Sequence, residues 1–418
     1  MLTTAMRVAK IVAATAVVPG SLLIAGTAGA SASPARAGAS ASYHGFRQFG
    51  FRQVPVPRYR VRQVLNGTKL RHAFIPAGTA QHRSEPLASP DDITVLGHHI
   101  YAAFQNGVGP QGQASPDGNT DSTVVEFTAA GRVIRQWDIK GKCDGVTADA
   151  AQHLLIATVN EDANSSIYTI RPRALASAQI QHYRYDKPLP HKGGTDAVSV
   201  YHGLVLISAS APGTTGAAAP QPTYPAVYSV TFHRATHVAR VSALFFDEAP
   251  AAVANLGASH AKVVRLALTD PDSNEIVPDS GPRFAGDFML TSQGDKEQIF
   301  VRRSGRPGRR LSVLRLSQSV DDTAWARSPN GRIYGTDTSG DTIDMVTGRF
   351  PARSVFVAVT PCDAGNAPAT CPAPGFPPNY LGSLNPWTGH ITRVPLRGPA
   401  FEPQGMVFIS PGWVVTPG

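Results

Sequence analysis

The 418-residue chain is short of several things: three cysteines, 16% charged residues, and no Asp or Glu before Glu85. So few cysteines exclude a disulfide-dense scaffold, and none stands with His or further Cys at the spacing of a structural zinc site. Sparse charge excludes a long coiled coil. Beyond the first thirty residues no apolar run is long enough to span a bilayer. No G-x-S-x-G, H-E-x-x-H or P-loop occurs, which removes the motif-bearing hydrolase, zinc-protease and nucleotide-phosphate readings. With 39 Gly and 35 Pro the chain has too little of either for bulk disorder, and a turn-rich globular protein is expected.

What is present begins with an export signal. Arg7 and Lys10 precede an apolar stretch from Ile11 to Ile24, followed by Ala28-Gly29-Ala30 and Ala30-Ser31-Ala32, the order of a cleaved signal peptide over 1–32. A secreted, extracellular, monomeric protein is expected. Cys362 and Cys371 bracket a Pro/Ala/Gly loop that a disulfide could close, in keeping with an oxidising compartment. Cys143 is left over and reads as a small buried residue at a strand start.

The formal charge of +9 is unevenly placed. Residues 1–84 hold eleven basic residues, leaving 27 basic against 29 acidic for 85–418, a net charge near −2. The excess after cleavage lies in 33–84, with Phe46-Arg47-Gln48 and Phe51-Arg52-Gln53 ahead of an alternating run from Tyr59 to Val64. One reading is a mobile segment followed by a strand docked on the body. The other is a tether to anionic lipid or envelope polymer. Nucleic acid is not expected as a partner of an exported chain.

Internal repetition sets the fold. Asp92 to Asn106, Asp144 to Asn160, Asp196 to Ser210 and Asp322 to Thr338 share one plan: an Asp, a short apolar strand, a polar turn, and a second apolar strand ending in polar residues. The first three Asp are 52 residues apart, and further β-branched and aromatic strands follow each pair. Units of about fifty residues with four strands predict an all-β fold, a β-propeller of four-stranded antiparallel blades over 85–418. Six blades are expected, with seven as the alternative count. Ser354 to Thr360, Tyr380 to Leu384 and His390 to Leu396 read as three strands without a first. Closure of the ring requires that no terminal sheet edge stay open. The run Tyr59 to Val64, joining the blade begun by Gly405 to Ile409, is the expected closing strand.

Asp144-Gly-Val-Thr-Ala-Asp149 with Leu154 to Asn160, Thr128-Ala-Ala-Gly-Arg-Val133 and Pro403-Gln-Gly-Met-Val-Phe-Ile409 resemble secreted propellers of the NHL-repeat, gluconolactonase-like and streptogramin-lyase-like group. Up-and-down connectivity places Asp92, Asp144, Asp196, Asp272, Asp322 and Gln404 around one channel mouth. Asn106, Asn160, Ser210, Gln293, Asp337 and Thr360 then surround them. The resemblance implies a divalent cation, calcium or magnesium, with Asp92, Asn106, Asn160 and Asp322 as its ligands. Two functions follow: binding of a small molecule or envelope component at the mouth, or metal-dependent hydrolysis, lactonase or lyase chemistry there. Against both stands the reading that each Asp holds a turn through backbone N–H groups. Three other patterns carry less. Gly107-Val-Gly109-Pro-Gln-Gly112 is broken for dinucleotide binding by Pro110, and Asp117-Gly-Asn119-Thr-Asp121 lacks the Gly and Glu of a calcium loop. His98, His99, His153 and His202 read as exposed turn residues.

Overall fold

The structure is a computed structural model that describes residues 59–190, 194–210, 224–257, 262–302, 309–362 and 378–412. The expected export signal, the basic stretch up to residue 58, and Cys371 lie outside the described residues. Cys362 is buried, and Cys143, a free thiol, is buried at the start of its strand as expected.

Among the described residues the strands pair into sheets within which six antiparallel runs of four strands follow one another, beside a separate hairpin of Arg71–Phe74 and Arg83–Pro86. Blade 1 runs Pro90–Leu96, His99–Phe104, Asp121–Phe127, Val133–Lys140, and blade 2 runs Cys143–Asp149, Leu154–Val159, Ser166–Ile170, Ile180–Tyr185. Val198–Tyr201, Leu204–Ser208, Pro225–His233 and Val238–Phe246 make blade 3. Pro271–Ile276, Phe288–Ser292, Glu297–Arg302 and Arg310–Arg315 make blade 4, whose outer edge carries the hairpin Pro250–Val253/Val263–Arg265. The first strands contact one another in cyclic order, the last returning to the first, so the sheets close into a ring. Burial follows this geometry. Leu154–Val159, a second strand between two neighbouring blades, is buried at all six positions, whereas the outer strand Tyr59–Asn66 alternates between buried and exposed residues.

Blades 5 and 6 depart from the chain order that the repeat predicts. Val320–Trp325 and Arg332–Asp337, expected as first and second strands of one blade, do not pair. Val320–Trp325 pairs with Val355–Val359, and blade 5 continues through Tyr380–Leu384 and Ile391–Arg393. Those are the three strands that lacked a first. Arg332–Asp337 instead pairs with Pro403–Ile409, which heads blade 6, followed by Thr342–Thr347 and Tyr59–Asn66. The two blades therefore exchange strands, an arrangement that local sequence similarity does not register because pairing is long-range.

Tyr59–Asn66 is the fourth strand of blade 6, holds Thr342–Thr347 in antiparallel register from Arg60↔Thr347 to Asn66↔Thr342, and carries the short parallel strand Leu396–Arg397 on its outer side. Tyr59, Val61 and Leu65 bury their side chains on the body. Gly131, at φ 88, shows how closely blade 1 approaches this strand: a Cβ there would lie 2.0 Å from the Val64 carbonyl oxygen. Truncation of a buried leucine costs about 2–5 kcal/mol. Leu65→Ala should lower the unfolding free energy by that amount in urea titrations, while the exposed Arg62→Ala should stay within about 0.5 kcal/mol of wild type. Equal stabilities for the two variants would show that the strand does not close the ring.

Candidate functional site

Each first strand enters the ring through a bulge, two residues standing opposite one on the second strand. The pairing jumps from Pro90 to Ile93, Cys143 to Gly145, Pro271 to Asn274 and Val320 to Thr323, and from Asp337 to Gly335 opposite Pro403 and Met406. In blade 3 the Asp196 N–H and the Ala197 carbonyl both bond Ser208, which gives the same two-against-one arrangement. Bulges bend a strand and re-aim its side chains. Superposing the six registers puts Asp91, Asp144, Asp196, Asp272, Asp321 and Gln404 at the first bulge position. Asp92, Gly145, Ala197, Ser273, Asp322 and Gly405 occupy the second.

The second position and its neighbours lock each blade to the next. Asp92 Oδ2 accepts from the Val146 N–H and Asp322 Oδ2 from the Met406 N–H, each at 2.6 Å, while their Oδ1 atoms accept from Ile93 N and Thr323 N. Thr158 Oγ1 donates to the Asp196 carbonyl, Ser273 Oγ to that of Asp321, and Thr336 Oγ1 to that of Asp91 at 2.5 Å. Asn274 Nδ2 donates to the Ala197 carbonyl at 2.8 Å. All six blade boundaries are thus crossed beside the mouth.

Between them lies a cavity of about 230 Å³, lined at the first bulge position by Asp91, Asp144, Asp196, Asp272, Asp321 and Gln404. Glu161, Asp270, Asn274 and Gln293 also line it, and Lys142 is the one basic residue in the described lining. Lys142 Nζ sits 2.8 Å from Asp144 Oδ1 and also pairs with Glu161, and Gln105 Nε2 donates to the same Asp144 oxygen at 3.1 Å. Burial acts to lower the Lys142 pKa, but Asp144, Glu161 and Asp91 outweigh it and hold the ammonium charged. The carboxyls move upward. Burial raises Asp91, Asp196 and Asp272 well above the ordinary range, and the neighbouring carboxylates add to it. Burial also lifts Asp92 and Asp144 to about 7, against the backbone N–H bonds on Asp92 and the Lys142 charge on Asp144.

Of the residues expected from sequence, Asp92, Asp144, Asp196 and Asp322 line this cavity, and Asn106, Asn160 and Asp337 do not. Asp92 and Asp322 are also displaced by one place from the expected ring, where Asp91 and Asp321 stand. Asn106 and Asn160 have φ of 53 and 69, the left-handed conformation that asparagine tolerates, and serve their turns. Asn106 accepts from Ala88 N and donates to Thr123 Oγ1; Asn160 accepts from Lys142 N and donates to the Asn164 carbonyl. Asp337 accepts from Gly340 N and Glu402 N. The set Asp92, Asn106, Asn160 and Asp322 therefore does not fit a calcium or magnesium ion, since both carboxylates already hold backbone N–H groups and neither amide lines the cavity. Among the described residues no three His, Cys, Asp or Glu side chains stand together as a metal cluster.

Asp91, Asp321, Lys142 and Glu161 were not legible as site residues, although the doubled Asp91-Asp92 and Asp321-Asp322 mark the bulges. His99 is also more than an exposed turn residue: its Nδ1 lies 2.6 Å from the fully buried Glu126, which Arg135 and Tyr101 also hold.

No protein-family model matches the chain, and no curated protein matches it. Solved structures similar to it include the periplasmic gluconolactonase of Pseudomonas aeruginosa, at 13% identity and TM-score 0.43, covering 84% of this chain and 99% of that one. A nidogen/laminin complex shows 9% identity and TM-score 0.44 over 84% and 98% of the two chains. At these values the likeness says nothing of activity, and the class defined here, an all-β propeller, rests on this chain's own strand order and ring contacts.

A carboxyl whose pKa is raised by folding binds more protons folded than unfolded, so it favours the folded state below its unfolded pKa and loses that contribution as pH rises. For Asp92 and Asp144 the window runs from the ordinary 3.8 to about 7. Urea midpoints should therefore fall between pH 4 and pH 7, and Asp144→Asn should flatten the slope. A midpoint that climbs across this window would contradict the electrostatics described for the mouth.

Proposed function

We propose that the protein is a ligand-binding propeller whose site is the acidic mouth of its channel. The observation that supports this reading is that Asp91, Asp144, Asp196, Asp272 and Asp321, from five different blades, line one cavity with a single lysine. The six boundary bonds to main chain are made by second-position side chains and by Thr158, Thr336 and Asn274, while of the first-position carboxylates Asp144 takes one further bond across a boundary, from Gln105. Gln404 stands at the first position in blade 6. Grouped, buried carboxylates lower the stability of the folded chain, and their retention in a cleft is the pattern of a binding site. The hydrolase or lactonase reading depended on a divalent cation whose expected ligands do not converge, and no catalytic step is derived through one.

The chain is also read as exported through residues 1–32, its basic stretch meeting an anionic lipid or envelope surface. Support for export is the order of basic, apolar and small residues in 1–32, and support for the surface contact is the charge distribution alone.

Thermal unfolding tests the binding reading. A ligand confined to the folded state stabilises it by about 2.7 kcal/mol at a hundredfold excess over Kd. Calcium and magnesium, added after EDTA, should leave Tm unchanged, whereas a small polar ligand found by screening should raise it in wild type and lose most of that shift in Asp144→Asn. A shift from calcium or magnesium would restore the metal-dependent reading. A ligand shift unaltered by Asp144→Asn would move the site elsewhere. Removal of residues 33–53 should abolish sedimentation with phosphatidylserine vesicles, and retention of full binding would remove the tether.

A further inference from the structure

The ligand class can be read from what the mouth leaves unsatisfied, granted that the mouth is the binding site. Its lining divides into two parts. Around Asp144 the ring already holds a primary ammonium, that of Lys142, 2.8 Å from Asp144 Oδ1. Asp196 and Asp272, on blades 3 and 4, face the same cavity, and the described lining brings no second basic residue to them. Asp196 is the foremost like charge acting on Asp272, whereas Asp144 and Glu161 are foremost on Asp196, which the Lys142 charge also reaches.

A second, independent feature lies between them. Asn274 is 7% exposed and lines the cavity. Its amide orientation is fixed by its donors, since Nδ2 bonds the Ala197 carbonyl at 2.8 Å and Ser208 Oγ at 3.3 Å. That leaves Oδ1 buried without a partner. A buried acceptor without a donor lowers stability, and a ligand that donates to it recovers that loss. The cavity therefore asks for hydrogen-bond donors and positive charge at the same place. The empty mouth holds its carboxyls toward the protonated form, a bound cation would draw them to the ionised form, and the neutral Oδ1 of Asn274 adds a site that a hydrogen-bond donor satisfies as well as a charge does.

We infer that the mouth binds a small primary-amine cation, its ammonium seated among Asp196, Asp272 and the Asn274 amide oxygen, opposite Lys142. An ammonium has three donors in a compact head and pairs with two carboxylates and one amide oxygen without a surplus. The volume, about 230 Å³, lies below the ~300–1,000 Å³ usual for drug-sized ligands and suits a short alkylamine or the amino end of a larger molecule. A bare divalent ion fits less well, because no three acidic side chains in the described structure stand together as a metal cluster.

Isothermal titration of the full chain with 1,4-diaminobutane, its neutral counterpart butane-1,4-diol, and calcium chloride tests this. The diamine should bind, with the diol and calcium at least a hundredfold weaker. Asp272→Asn and Asp196→Asn, which preserve shape, should each weaken the diamine at least tenfold, and the wild-type comparison of diamine with diol stands even if a variant fails to fold. Diol binding as tight as that of the diamine, and lost in the same variants, would overturn the amine class while leaving the mouth as the site. Diamine binding that neither variant changes would overturn the mouth itself. No diamine binding at millimolar concentration would overturn the inference.

Discussion

At every boundary of the ring a side chain beside the channel mouth bonds the main chain of the adjoining blade, and this single type of contact organises the rest of the structure. A bulge bends the start of each first strand beside the mouth, and at three of the boundaries its second residue, Asp92, Ser273 or Asp322, makes the contact. Two chemical solutions recur. Asp92 and Asp322 reach across with a carboxylate to the Val146 and Met406 N–H groups. Thr158, Ser273, Thr336 and Asn274 reach instead to carbonyls. Where blades come closest the second position is glycine: a Cβ on Gly405 would lie 2.4 Å from the Asp91 carbonyl oxygen, and one on Gly145 2.7 Å from Ala197 Cα.

The bulge that joins the blades also gathers charge. Five first-position carboxylates come from five strands, and the geometry that holds the ring holds them near one another in a partly dry space. Desolvation and mutual repulsion both favour their protonated forms. Lys142, with Gln105, relieves the mouth directly through Asp144, and its charge also acts on Asp91 and Asp196 without offsetting their burial. A site held at the expense of stability is a common mark of function. The acidic mouth is set within a body of near-neutral net charge, so the local field comes from arrangement and not from composition.

The architecture was largely legible because strand periodicity and the 52-residue recurrence of Asp are local features. Asp144 and Asp196, each a lone acid at its bulge, stand at the first bulge position and line the cavity. At Asp91-Asp92 and Asp321-Asp322 two adjacent acids compete for one position, and only the pairing across the bulge shows that the first faces the channel as the others do while the second holds the next blade. Asn106 and Asn160 misled for a physical reason: an asparagine that ends a strand in a left-handed turn looks, in sequence, like an oxygen ligand. The exchange of strands between blades 5 and 6 left no local trace, since nothing in Arg332–Asp337 distinguishes Pro403–Ile409 from Val320–Trp325 as a partner.

The central claim is that buried, mutually repelling carboxylates meet at the channel mouth. Carbon-13 NMR of the aspartate carboxyls, titrated against pH, observes them directly. The account predicts a group of apparent pKa values well above the ordinary aspartate value of about 3.9, removed one at a time by Asp91→Asn, Asp196→Asn and Asp272→Asn. Titration of every aspartate near that ordinary value would contradict it.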